Sequence, residues 1–404
     1  MHRNQIHWSL FYLLIACWPS FAQGPKSIRS QGLESWQLET DQISLTITKT
    51  GGHMAPVTFY RDSNNPISPY YVSPWQGENH EYPVPVLVPL RGDFFCLPFG
   101  GNNETYQGEK HPPHGETAGS DWSLYGTTRR KNVTSMVMGM NTQVRPGNVT
   151  KTLHLVEGQN VIYSTHRIRG FEGISSLGHH ATLAMPEKEG VFKISHSPMK
   201  FGMTNPTQFS NPANQEYQQL GIKKRFRSLS QVPSIFAGAD KVDCSRLPQK
   251  KGYADLLMLF PKTSQNQPAW LTAVQTDENW MWFSFKDPKV LTSTVIWLEN
   301  GGRHGLPWFG RNNCVGLEDV TAFFADGLKP SAEDNWLTGQ GLKTAINLTG
   351  DFSIHYIQGV VRIPEGYLET KQVRFLEKGV IFESAQGHKV DLPVHHQFLA
   401  TGRI

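Results

Sequence analysis

Short runs in which apolar and polar residues alternate, or in which apolar residues stand unbroken, recur along the whole chain. Within Ile43–Thr48, the residues Ile43, Leu45 and Ile47 alternate with polar neighbours before a turn at Gly51 and Gly52. A period of two is the signature of a strand with one buried face. Runs at 150–156, 160–168, 191–194, 256–260, 270–274, 280–285, 295–298, 352–361 and 373–382 read as strands in the same way. They are bounded by Gly, Pro, Asn and Asp, which end strands and make turns. Helical periodicity is weak throughout, and no repeat of solenoid or propeller length is present. The pattern predicts an all-β protein, a large antiparallel β-sandwich, rather than strands and helices alternating around a parallel sheet. The loops at 170–178 and 261–267 have neither the length nor the composition of a linker. Residues 23–404 are therefore expected to form one domain with a frayed beginning before Leu38.

The N-terminus departs from this pattern. Residues 1–7 carry Arg3 and no acid, 8–18 are mainly apolar, and Pro19 precedes the small residues Ser20 and Ala22. That order is expected of a secretory signal peptide, residues 1–22, cleaved after Ala22. The apolar run falls well short of the roughly 20 residues that cross a bilayer as a helix. No membrane span is expected, and the protein is expected to be secreted or periplasmic. Leu14-Ile15-Ala16-Cys17 is also similar to a bacterial lipobox, which would leave a lipid anchor at Cys17. Charged residues make up 18% of the chain and the net charge is +4 without long basic runs, so nucleic acid is not an expected partner. Beyond the signal segment, Cys96, Cys244 and Cys314 are an odd number, and their spacing fits no zinc motif.

Four segments, read as loops, gather polar and aromatic groups: 89–100, 111–122, 177–183 and 297–319. Loops of this composition are where binding sites recruit side chains. The pair His111 and His114 has metal-like spacing, but two intervening prolines forbid a helical His pair and no third ligand is evident. No metal is expected there. Trp280, Trp282 and Phe283 read as core or sheet face rather than as binding residues.

Taken in order, the four segments resemble the aldose 1-epimerase (galactose mutarotase-like) superfamily, nearest its hexose-phosphate epimerase branch. That branch carries an Arg-Gly-Gly stretch ending in Phe-Gly, and Arg91-Gly92-Asp93 through Phe99-Gly100 is similar. Its His-Gly-Phe-Ala-Arg motif has a Trp eight positions after the His, a spacing kept by His114-Gly115 and Trp122. Its catalytic His lies in a Gly-Phe-His-Pro-Tyr-Phe strand, which Gly178-His179-His180-Ala181-Thr182-Leu183 resembles. Its catalytic Glu lies in a Gly-hydrophobic-Glu turn, matched by Gly316-Leu317-Glu318.

The resemblance, spanning roughly 43–361, implies a β super-sandwich and a cofactor-independent isomerase that interconverts sugar anomers. Anomerisation removes the proton of the anomeric hydroxyl and delivers one to the ring oxygen, so it needs one base and one acid. The resemblance assigns these roles to Glu318 and His180, with His179 pointing to the opposite face of the strand. Arg91 and His114 are the candidate polar contacts to the sugar, with the planar fork of Arg91 suited to hydroxyls. Trp122 or Trp308 is the candidate apolar platform. The motif arginine that helps bind phosphate is Ala118 here, which implies an unphosphorylated substrate, a monosaccharide or the sugar end of a glycan. Two other readings stand beside the isomerase. One is a carbohydrate-binding module on the same sandwich. The other is a polysaccharide lyase or glycosidase, although a glycosidase needs a second carboxylate.

Overall fold

The computed structural model describes residues 26–262 and 267–404. The expected signal segment and Cys17 lie outside the described residues. Of the described residues about 48% are strand and 6% helix, which makes the fold all-β. Two large antiparallel sheets face each other. The first has eleven strands, in the order Lys26–Ser30, Leu33–Glu39, Ile43–Thr48, Met54–Phe59, Asp93–Cys96, Leu177–Ala184, Asn313–Thr321, Ser293–Asn300, Tyr253–Pro261, Met199–Thr204 and Arg225–Phe226. The second has nine, from Arg246–Leu247 through Phe192–His196, Ala269–Gln275, Trp280–Lys286, Asp351–Arg362, Val161–Arg169, Gly147–Val156 and Val133–Thr142 to Ser123–Arg130.

Alternation along the strands sorts the chain into three apolar layers. Between the sheets, Leu45, Val57, Leu317 and Ile296 of the first meet Met138, Leu153, Leu271 and Trp282 of the second. On the outer face of the eleven-stranded sheet, Phe94, Met258, Val295 and Val320 pack under loop residues such as Trp75, Leu87 and Phe324. On the outer face of the nine-stranded sheet, Tyr163, Phe283 and Phe285 pack against a third sheet and the turn of helix Phe398–Thr401.

Several local expectations are corrected. From Lys26 onward the segment before Leu38 is not frayed: Lys26–Ser30 and Leu33–Glu39 pair along their length and form one edge of the large sheet. The run at 373–382 is not one strand but a hairpin of Thr370–Leu376 and Gly379–Ser384, joined by Lys389–Leu392 into the third sheet. The segments 177–183 and 297–319, read as loops, contribute three central strands of the first sheet, with 301–312 as the loop between two of them. Among the described residues Cys96, Cys244 and Cys314 are buried and free of disulfides, and no helix is long and apolar enough to cross a membrane.

Candidate functional site

Four neighbouring strands at the middle of the large sheet build the site: Asp93–Cys96, Leu177–Ala184, Asn313–Thr321 and Ser293–Asn300. Their period of two sends opposite sets of side chains to the two faces. Phe95, Leu177, Leu183 and Leu317 turn toward the sheet interface, whereas Phe94, His180, Glu318 and Trp297 turn outward. His180 stands directly opposite Glu318 in the ladder, and Glu318 opposite Val295. The register therefore brings two groups 138 positions apart in sequence within reach. His180 Nε2 lies 3.3 Å from Glu318 Oε1. Two residues before Glu318, Gly316 leaves the space that the carboxyl occupies. A Cβ there would lie 2.4 Å from Glu318 Oε1.

The imidazole of His180 is held from three sides. Phe94 stacks on it at 4.4 Å between centroids, Thr182 Oγ1 lies 3.1 Å from its Nδ1, and His114 meets it edge-on at 5.1 Å. His114 arrives from a tight turn with left-handed backbone at both His114 and Gly115. A Cβ at Gly115 would collide with the Leu97 carbonyl, so the residue after His114 has to be glycine. His114 Nδ1 lies 3.5 Å from Cys96 Sγ.

These groups floor a cavity of about 280 Å³, walled by Val84, Leu87, Phe209 and Leu256 and roofed by Trp308 and Arg303 of the 301–312 loop. The Arg303 guanidinium sits 5.0 Å from the Phe209 ring, 5.3 Å from Trp308 and 6.0 Å from Trp297. The low-dielectric setting favours neutral forms of the titratable floor. Burial pushes the Glu318 carboxyl well above the usual range. Burial, with the neighbouring His114 and His53 adding to it, holds His180 well below the usual imidazole value. His114 is brought down to about 4, by burial first and then by the charge of Arg303. Burial thus favours the form of the His180–Glu318 pair in which the proton sits on the carboxyl.

Of the residues singled out by sequence, His180, Glu318, His114 and Trp308 line this cavity together. Arg91 and Trp122 do not reach it. The Arg91 side chain is fully buried and already engaged: it donates to the carbonyls of Pro89 and Ser30 and to the side chains of Gln31 and Gln76. It clamps the N-terminal strands onto the sheet and has no fork left for a sugar. Trp122 lies in the inter-sheet core, donating from Nε1 to the Thr117 carbonyl, with Lys151 Nζ 5.4 Å from its ring. Motif spacing placed it beside His114, but its side chain leaves on the other side of the sheet. Arg303, Trp297 and Phe209 are the lining residues that the sequence reading passed over. Arg303 lies within the fourth segment, flanked by glycines and His304, and that loop setting was its one visible signal.

His179 faces inward, with Nδ1 3.1 Å from Asp93 Oδ2 and its ring stacked on Tyr356. Next to Glu318, Asp319 also faces inward. It takes Lys286 Nζ at 2.6 Å and accepts from the hydroxyls of Tyr356, Ser284 and Thr294. The site strands are thereby tied to the opposite sheet immediately behind the His180–Glu318 pair. His111 pairs with Glu109, and no group of three or more metal-ligating side chains occurs among the described residues.

The two-sheet sandwich is the galactose mutarotase-like fold, as the solved structures similar to this chain bear out. A galactose mutarotase related enzyme from Lactobacillus acidophilus superposes with a TM-score of 0.52 at 12% identity, over 82% of this chain and 99% of its own. A galactose mutarotase-like protein from Clostridium acetobutylicum gives 0.54 at 10% identity, over 84% and 98%. A candidate aldose 1-epimerase from Klebsiella pneumoniae gives 0.57 at 12% identity, over 82% and 80%. No protein-family model and no curated protein matches the sequence. At these identities the likeness is one of fold.

Proposed function

We infer that the protein is an aldose 1-epimerase-like isomerase that interconverts the anomers of an unphosphorylated sugar by acid–base ring opening. The observation that carries this reading is the His180–Glu318 pair, 3.3 Å apart on facing strand positions at the floor of a cavity. The two oxygens that exchange protons in anomerisation, the anomeric hydroxyl and the ring oxygen, are bonded to the same carbon. An acid and a base standing side by side, as these two groups do, can reach both.

With one proton on the pair, Glu318 gives it to the ring oxygen as neutral His180 takes the anomeric proton. The C1–O bond to the ring oxygen breaks, the aldehyde turns about C1–C2, and closure on its other face returns both protons. This is the reverse of the assignment implied by the family resemblance, and it follows from burial favouring the neutral forms of both groups. Each cycle consumes nothing, so no cofactor is called on. His114 offers a further hydrogen bond to the sugar, and Trp308 an apolar face for its C–H surface. A volume of about 280 Å³, at the small end of ligand pockets (~300–1,000 Å³), suits a single sugar ring, free or at the end of a glycan.

The test is the relaxation of freshly dissolved pure anomers, followed by polarimetry or saturation-transfer NMR across a panel of aldoses and uronic acids. Acceleration above the buffer rate is expected for at least one sugar. Binding of a sugar with every anomer ratio relaxing at the buffer rate would leave a carbohydrate-binding module instead. We also propose export, from residues 1–22. N-terminal mass analysis of protein recovered outside the cytoplasm should show Gln23, or lipid-modified Cys17, as the first residue. An intact Met1 would reject both.

A further inference from the structure

The cavity holds a charge that anomerisation of a neutral sugar does not use. The side chain of Arg303 forms part of its roof, and an arginine guanidinium carries its charge at any working pH. The surrounding rings of Phe209, Trp297 and Trp308 attract the cation by their faces. They offer no acceptor to its N–H edges. The buried Nε has no hydrogen-bond partner. Its nearest carboxyl oxygen, Glu299 Oε2, stands 3.7 Å away and is itself without a partner. The other Glu299 oxygen is occupied by the backbone N–H groups of Gly302 and Arg303. Burial raises Glu299 to about 7 despite the opposing charge of Arg303, so this counter-ion is incomplete at neutral pH. Burial favours the neutral forms of His114, His180 and Glu318 on the floor as well. Among the described residues lining the cavity, Arg303 is the one whose charge is permanent.

We propose that the sugar carries a carboxylate, making it a uronic acid, and that Arg303 is the residue that selects it. The inference deepens the isomerase reading and rests on the same cavity. A planar fork with a free edge matches a carboxylate, which can accept two parallel N–H bonds. A phosphate carries a charge of about −1.5 to −2 and would meet a single cation here. The position at which the resembling branch places its phosphate-binding arginine is Ala118, fully buried in the turn Glu116–Ala118. One fork and one monoanion are the balanced pair.

The experiment compares anomer exchange by saturation-transfer NMR for galacturonate, glucuronate, galactose, glucose and glucose 6-phosphate on the full protein. A hydrogen-bonded charge pair predicts that kcat/KM for a uronate exceeds that of the matching hexose by about 10- to 100-fold. In Arg303→Gln the uronate-to-hexose ratio should fall to near one. In Arg303→Lys, which keeps the charge without the fork, it should be intermediate. Near-ultraviolet circular dichroism of both variants establishes that they fold, and the wild-type ratio stands as a test without them. Equal or better use of the neutral hexoses, preference for glucose 6-phosphate, or an unchanged ratio in Arg303→Gln would overturn the proposal and leave the isomerase reading intact. Uronate binding that depends on Arg303 without exchange of any sugar would do the opposite. So would cleavage of a polyuronate to an unsaturated product, which would mark a lyase. Neither exchange nor binding on any sugar would end both.

Discussion

Neither His180 nor Glu318 titrates as it would in water, and the directions of their shifts set how the rate should depend on pH. Turnover needs one proton on the pair. Acidification removes the base when His180 protonates, an event displaced downward by burial. Alkalinisation removes the acid when Glu318 ionises, an event displaced upward. The limits move apart, so the rate should run over a broad plateau and fall at both ends of the pH range. A profile governed by a single group near the usual imidazole value would contradict this arrangement. Glu318→Gln retains size and hydrogen bonding but cannot release or accept the proton in turnover. It should slow anomerisation by about 10²- to 10⁴-fold while sugar affinity, measured by titration calorimetry, changes much less.

Along the strands, position does what no single residue can. The carboxyl of Glu318 fits because Gly316, two residues earlier on the same face, has no side chain. Gly316→Ala should displace the carboxyl without unfolding the sheet. Loss of alignment on the ångström scale predicts a fall in kcat of about 10- to 100-fold, with a smaller change in KM and an unaltered far-ultraviolet spectrum. This level also separates what was legible from what was not. Strands such as Ile43–Thr48 and Trp280–Lys286 were readable because their apolar period is intact. Leu177–Ala184 and Asn313–Thr321 read as loops in the sequence because their outward positions hold Gly178, His180, Gly316 and Glu318. The polar and small residues that line a cavity erase the pattern that marks a strand. The four motifs still located the floor, since His180 and Glu318 fall where local sequence alone points. Arg91 and Trp122 show the limit of that reading. Spacing fixes neither which face of a sheet a side chain leaves from nor which partners already occupy it.

At the scale of the molecule, the site depends on how the two sheets are joined behind it. Lys286 of the smaller sheet and Asp319 of the larger are both buried, and the pair sits next in sequence to Glu318. Breaking a buried pair by removing one partner leaves an uncompensated charge. Lys286→Met should therefore cost about 3–5 kcal/mol, read as a lower urea midpoint. Replacing Asp319 as well, by Leu, should recover part of the loss. A variant as stable as the parent would show that apolar packing alone holds the sheets in place.

The three buried cysteines give this molecule a clock. Burial holds each thiol well above its ordinary pKa, so little of the reactive thiolate is present in the native state. Cys96 and Cys314 lie on the strands of the site, whereas Cys244 lies beside the far edge of the smaller sheet. A thiol reagent should be nearly inert toward all three until the sandwich parts. Mass spectrometry of pulse-labelled protein would then time the opening of each region separately. Simultaneous labelling would mean that the two sheets come apart as one cooperative event. Earlier labelling of Cys244 would mean that the far edge frays while the walls of the cavity remain shut.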